Sequence, residues 1–180
     1  PEFIVAPPFE PSPWDAILDH PKLKRITLAP EVPNALGLIA RLQQRGVTVS
    51  MGHTNATFDE SRNGFEFGAT DFTHTFNAMR PLHHREAGAV GYALANGDIR
   101  CELIYDRVHV SRDAAEVLRR SRNPGTLVAV SDSTMATGMP PGTPITMWGH
   151  DCVVGRGAVR LAANDALAGS AITLLDAFRN

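Results

Sequence analysis

The sequence contains only two cysteines, Cys101 and Cys152, among 180 residues. Neither belongs to a CxxC pair, and two thiols are too few for a disulfide framework. A reduced, cytoplasmic setting is the inference. Charge of one sign is scarce as well. A formal net charge of -2 leaves no basic footprint for nucleic acid and no polybasic membrane signal. No apolar run reaches the roughly 18 residues that a bilayer span requires, and the first residues lack the basic-then-apolar pattern of a signal peptide. Internal repeats and low-complexity tracts are missing too, which argues against a solenoid or a disordered linker. What remains is 43% hydrophobic and 20% charged, an ordinary soluble globular composition with enough apolar material for the core of one domain.

The chain opens on Pro1-Glu2-Phe3 without a methionine and stops at Phe178-Arg179-Asn180, directly after an apolar helical pattern. Together the two ends lead to the expectation of a piece of a longer protein. Prolines crowd the first 24 residues (Pro1, Pro7, Pro8, Pro11, Pro13, Pro21), which read as an extended lead-in with a short helix near residues 14–18. A rhythm then sets in. RITLA at 25–29 is a short β-branched run, and a helical spacing of Leu36, Ile39, Ala40 and Leu42 follows over residues 33–45, closed by Gly46. Strands are expected at 47–51, 70–73, 99–105 and 126–131. Helices are expected at 57–67, with Thr57 as N-cap, and at 113–120.

About five strand–helix units argue for a parallel α/β fold. A doubly wound sheet and a (β/α)₈ barrel share that rhythm. Polar, chemistry-capable residues sit just after successive strands: Glu31, His53, His74, Asp106 with His109, and Asp132. A site assembled from the C-terminal ends of many strands is the barrel habit, so a partial TIM-like barrel in a single domain over residues 1–180 is expected. Residues 149–164 differ. Val153-Val154 and Val159-Arg160-Leu161 flank Gly155-Arg156-Gly157 and predict a β-hairpin excursion before a final helix at 170–179.

His53 and His74 each follow a strand and stand one strand–helix unit apart, so neutral imidazoles on neighbouring strand ends could converge on a zinc-like cation. Strand capping by hydrogen bonds is the simpler role for either alone. Asp132 closes VSDS and could carry a proton between a metal-bound water and a leaving amine, or could simply form a turn. His109 could meet substrate hydroxyls or lie on the surface. Arg85, in PLHHREAG, suits a phosphate, with a solvated pair to Glu86 as the alternative. Asn77 and Ala78 open the loop after His74, where amide groups could meet an anion. Pro30 and Pro33 around Glu31 mark the start of a helix better than a carboxylate ligand. His20, His83, His84 and His150 carry no assignment.

The strings TLAPE, MGHTNAT, THTFNAMRPLHHREAG, DRVHV, VSDSTMATGMPPG and LAGSAITL occur in that order over nearly the whole chain. With them the sequence resembles the N-acetylglucosamine-6-phosphate deacetylases of the amidohydrolase superfamily. The resemblance implies that His53 and His74 bind a divalent metal, zinc first with iron, cobalt or manganese as alternatives. It implies that Asp132 is the catalytic acid/base, and that Asn77, Ala78, Arg85 and His109 contact the amino-sugar phosphate. The segment Leu167-Ala168-Gly169 would border the sugar, and Arg85 would reach a substrate in the partner subunit of a homodimer. It further implies a (β/α)₈ barrel with an accessory β-domain built from both chain ends.

The departures from the family pattern are specific. The early HxH strand, the HLEGP segment whose Glu ligates the metal, and a Gly-x-His string are not in this sequence, nor are the family's closing β-strands. Ala87 stands where the family usually has Pro. The expected activity is removal of acetate from N-acetyl-D-glucosamine 6-phosphate, a small-molecule substrate, with no nucleic-acid or membrane partner. The rivals are a barrel amidohydrolase acting on a cyclic amide, which would not need the phosphate-binding set, and a sugar-phosphate-binding protein without catalysis.

Overall fold

Thr57 and Gly46 show how local chemistry divides this chain into elements. In the computed structural model, which describes residues 14–180, the Thr57 side chain accepts the backbone N–H of Glu60, and the Glu60 carboxylate accepts the N–H of Thr57. This reciprocal capping box starts helix α3 (Phe58–Glu66). Such a cap is worth about 1 kcal/mol. Gly46, at φ 72°, ends helix α2 (Ala35–Gln44), in a left-handed conformation that a side chain would resist. The α2 stripe Ala35, Ile39 and Leu42 is fully buried, as its spacing demands. A four-residue helix, α1 (Asp15–Leu18), precedes these. The proline-rich opening expected to run extended lies, up to Pro13, outside the described residues.

Five parallel strands form one sheet: β1 (Arg25–Leu28), β2 (Thr48–Met51), β3 (Asp71–Phe72), β4 (Arg100–Ile104) and β5 (Leu127–Val130). Their spatial order is the sequence order, so each crossover returns beside the strand it left. Arg25 pairs with Thr48, Ser50 with Asp71, and Asp71 with Arg100. Crossovers use α2, α3, α4 (Gly88–Ala95) and α5 (Arg112–Arg120). Helix α4 is absent from the sequence reading. Its sequence, GAVGYALA, is apolar on every side, so it has no amphipathic stripe, and its two glycines resemble breakers. It forms because it is buried almost throughout.

The predicted hairpin is real but belongs to a larger element. Strands β6 (Pro144–Met147), β7 (His150–Val154), β8 (Ala158–Leu161) and β9 (Leu167–Ser170) make an antiparallel sheet in that order. The helix expected from residue 170 begins later, as α6 (Leu174–Arg179), behind a second capping box between Thr173 and Asp176. Ser170 instead ends β9, fully buried and paired with Ala158. LAGS carries too little alternation to reveal a strand, and the apolar spacing of the following helix blurs into it.

The chain divides into two compact units. The first joins the residues up to Glu102 with Ser121–Leu127 and is centred on Ile39, Leu42, Val49, Met51, Phe72 and Ile99. The second joins Leu103–Arg120 with Val128–Asn180, and its antiparallel sheet packs Ala136, Met147, Cys152, Val154 and Val159 together. Both cysteines are free and buried. Among the described residues, no helix is long and apolar enough to cross a membrane.

Candidate functional site

Three strand ends share one backbone device. His53, His74 and Asp132 each lie two residues past a strand (β2, β3 and β5), and each is left-handed, at φ 48°, 34° and 46°. Left-handed residues other than glycine are uncommon, and each costs about 1–3 kcal/mol that surrounding structure must offset.

In the first unit that structure is visible. The Nε2 atoms of His53 and His74 stand 2.9 Å apart, with the rings nearly perpendicular at 75°. Thr54 knits the two loops together: its N–H bonds the carbonyl of Ala78 at 2.9 Å, and its own carbonyl accepts the N–H of Arg80 at 3.0 Å. The strands can approach this closely because residue 52 is glycine. A Cβ there would lie 2.8 Å from Thr73 Cβ and 3.0 Å from Thr27 Cγ2.

Two carboxylates hold these loops: Glu31, set aside as a ligand on sequence grounds, and Glu102, to which the sequence assigns no role. Glu31 accepts the Thr54 hydroxyl at 2.5 Å and the Asn55 N–H at 2.7 Å. It therefore grips the turn after His53 from a position just ahead of α2. Glu102, in the middle of β4, accepts the backbone N–H of His74 at 3.2 Å and pairs with Arg25 at 2.6 Å. Its carbonyl takes the N–H of Thr75 at 2.8 Å. Behind it, Asp71 is bound by Arg25 and Arg100, each at 2.7 Å. Burial alone would raise the Asp71 carboxyl, but hydrogen bonds from Arg100, Thr70 and Arg25 outweigh it and hold Asp71 below the usual carboxylate range. The only sequence signal for Glu102 is its alternation with the buried Cys101 and Leu103, which sends it to the opposite face of the strand.

The histidine pair suits a divalent cation. The two Nε2 atoms lie within hydrogen-bond distance of each other, and His74 is buried with Nδ1 lacking a hydrogen-bond partner among the described residues. Two imidazoles are two of the ligands a catalytic zinc site uses, which normally come from three side chains and a water. Among the described residues no group of three or more His, Cys, Asp or Glu is poised around one point.

The loop after His74 carries the remaining first-unit candidates. The Asn77 amide donates to the carbonyls of His74 and Thr75, at 3.3 and 3.4 Å, and Ala78 is exposed at φ 48°. Arg85 is exposed and approaches His84 Nε2 at 3.2 Å. Glu86 does not pair with it. That carboxylate accepts the N–H groups of Phe58, at the start of α3, and Gly88, and pairs with Arg80 at 3.1 Å. These contacts, the Phe58 and Gly88 hydrogen bonds first, lower its pKa. Glu86 thus staples the loop and leaves Arg85 at its tip, where among the described residues no carboxylate pairs with it.

In the second unit Asp132 is exposed. Its loop meets the segment expected to border the sugar: Thr134 bonds the carbonyl of Ser170 through both its N–H (3.0 Å) and its hydroxyl (2.9 Å), and Ser133 bridges to Ser170. Gly169 lies so close that a Cβ would come 2.6 Å from Thr134 Cγ2. Leu167, Ala168 and Gly169 accordingly lie on β9, beside the Asp132 turn. His109 is no surface residue. Its side chain is 8% exposed, and Nδ1 lies 2.5 Å from the fully buried Asp106 carboxylate. Burial would raise the Asp106 pKa, yet hydrogen bonds from the His109 ring and the backbone N–H groups of His109 and Val108 lower it.

No protein-family model matches the chain. Over 180 residues it is 38% identical to the N-acetylglucosamine-6-phosphate deacetylase of Lysinibacillus sphaericus, covering 99% of this chain and 46% of that protein. It is 39% identical over 165 residues to the N-acetylgalactosamine-6-phosphate deacetylase of Escherichia coli O157:H7, covering 92% of this chain and 43% of that one. Among solved structures, the N-acetyl-D-glucosamine-6-phosphate deacetylase of Mycobacterium smegmatis, a mutant in complex with N-acetyl-D-glucosamine-6-phosphate, matches with a TM-score of 0.81 at 36% identity. That match covers 88% of this chain and 42% of the other. The chain therefore spans about half the length of the curated relatives it matches. In sequence over nearly all its residues, and in fold, this chain is similar to the N-acetylglucosamine-6-phosphate deacetylases, of which it matches less than half the length.

Proposed function

We propose that this chain serves the metal-dependent hydrolysis of N-acetyl-D-glucosamine 6-phosphate to acetate and glucosamine 6-phosphate, in amino-sugar catabolism. The observation that carries the reading is the convergence of the two Nε2 atoms of His53 and His74, at consecutive strand ends, in a chain 38% identical to a deacetylase of that name. The scaffold is proposed to be part of a (β/α)₈ barrel, acting in the cytoplasm as a homodimer.

His53 and His74 would hold a divalent cation, zinc first, with iron, cobalt or manganese as alternatives. Such a cation polarises the amide carbonyl and acidifies water. Asp132 takes a proton from the attacking water and returns it to the leaving amine. Arg85 and Asn77, with the Ala78 backbone, hold the phosphate, and a guanidinium on a stapled loop tip can meet a dianion through two parallel hydrogen bonds. His109 meets a sugar hydroxyl, and Leu167, Ala168 and Gly169 border the sugar.

Two observations keep other outcomes in view. The identity to the galactosamine-type relative is one point higher than to the glucosamine-type one, so the sugar epimer is a matter for assay. No third ligand stands beside the histidines among the described residues, which favours the non-catalytic sugar-phosphate binder as second reading. The test is acetate release from both N-acetylhexosamine 6-phosphates by the purified protein, before and after chelation and with each of the four metals restored. Acetate released only with metal supports the hydrolase. Phosphosugar binding without acetate under every metal selects the binder.

A further inference from the structure

We infer that Asp106 is a positioning residue for His109: it fixes the imidazole as its Nδ1–H tautomer, so that Nε2 is presented to a sugar hydroxyl as an acceptor. The inference rests on the reading of His109 as a substrate contact and adds to it the direction of the hydrogen bond.

The geometry of the pair carries the argument. Oδ1 of Asp106 accepts the N–H groups of Val108 at 2.8 Å and His109 at 2.7 Å, which is all that a turn-forming aspartate needs. Oδ2 does something further, at 2.5 Å from Nδ1 of the His109 ring. The turn that allows this has Arg107 in the left-handed region, at φ 64°. The Asp106 side chain is fully buried and that of His109 nearly so, and a buried carboxylate is kept only when its lone pairs are met by donors. Here two backbone N–H groups and one ring nitrogen point at one carboxylate. Those donors favour the ionised form, in line with the lowered Asp106 pKa. An ionised carboxylate has no proton to give, so the proton between Oδ2 and Nδ1 belongs to the imidazole. In the neutral ring the other nitrogen, Nε2, then carries the lone pair and can only accept. A residue that merely shaped the turn would leave the tautomer unspecified.

The test exchanges one atom. In Asp106→Asn the amide oxygen can still accept both backbone N–H groups, but the amide NH₂ faces Nδ1 as a donor, which drives the ring to the Nε2–H tautomer. ¹⁵N NMR of the ring, in the full chain at a pH where the imidazole is neutral, reads this directly. The Nδ1–H pattern is expected in the wild type and the Nε2–H pattern in Asp106→Asn. With N-acetylglucosamine 6-phosphate, KM should rise about tenfold to a hundredfold in the variant, the effect of facing a hydroxyl with the wrong hydrogen-bond partner, while kcat moves little. An Nε2–H ring in the wild type overturns the inference, even if the variant does not fold. The same tautomer in both proteins, or an unchanged KM despite an inverted tautomer, overturns it as well. If His109→Ala leaves KM unaltered while the wild-type ring is Nδ1–H, the tautomer assignment stands and the substrate contact is what fails.

Discussion

The carboxylate of Glu102 accepts the backbone N–H of His74 at 3.2 Å, at the residue where the chain leaves β3 and turns left-handed. Its other oxygen is tied to Arg25 at 2.6 Å, so the acceptor is itself held in place. His74 is thus positioned through its backbone, by a neighbour one strand away. Removing a group that orients a metal ligand typically costs about 10–100-fold in metal affinity. Glu102→Ala is expected to weaken metal binding by that factor, measured by competition with a chelator, while the circular dichroism spectrum keeps its wild-type form. Glu102→Gln, which retains an acceptor for the N–H, should lose less. Equal affinity in all three proteins would show that the Thr54 ladder alone sets His74.

Asp71 makes the stability of the fold depend on acid. Its folded pKa lies below the unfolded value of about 4, so across that interval the unfolded chain binds more protons. The contribution of Asp71 is therefore complete above the unfolded pKa and is lost as pH falls through the folded one. Asp71→Asn leaves Arg25 and Arg100 facing an amide and should destabilise by about 3 kcal/mol at pH 7, near the low end for a broken buried pair because both guanidinium groups are part-exposed. Urea unfolding at pH 7 and at about pH 3, below the unfolded pKa, checks this: the gap between variant and wild type must narrow at the lower pH. A constant gap would assign the loss to packing.

Arg85→Ala should raise KM for the 6-phosphorylated sugar far more than for its unphosphorylated form. Losing a charged partner of a phosphate costs about 2–5 kcal/mol. Glu86 anchors the loop without Arg85, so the backbone should keep its course in the variant. Equal effects on the two sugars would make Arg85 a structural residue.

Asp132→Asn should fold and bind metal yet lose turnover. Asparagine tolerates the left-handed backbone that Asp132 adopts, and it keeps one acceptor, but it cannot carry a proton. A fall in kcat of about 10²–10⁴-fold with little change in KM is expected. A variant keeping more than about a tenth of wild-type kcat would leave Asp132 as a turn former.

The parts of this protein that were legible in its sequence are those decided locally. The α2 stripe with Gly46 behind it, Thr57 with Glu60, and the polar residues after each strand are set by spacing and by single-residue conformations. The parts that were not legible are decided by neighbours far along the chain. Helix α4 exists because both its faces are covered, and β9 because β8 offers a ladder. Glu31 and Glu102 matter through contacts with residues 23–24 and 28 positions away, at which no local pattern hints. His109 carries no sequence mark that separates surface from site, because its burial depends on the Asp106 carboxylate, reached through the left-handed turn at Arg107.

The left-handed conformations at His53, His74 and Asp132 set folding and chemistry against each other at the same three positions. Glycine would relieve roughly 1–2 kcal/mol at each, because only a Cβ makes that region costly. Variants selected for thermal resistance alone should therefore drift towards glycine at the exposed residues 53 and 132, losing an imidazole and the carboxylate as they gain stability, whereas the buried His74 is held by its packing. Selection that requires turnover must retain the side chains and carry the strain. A stability screen run without an activity screen would thus mark residues proposed to carry the chemistry by erasing them.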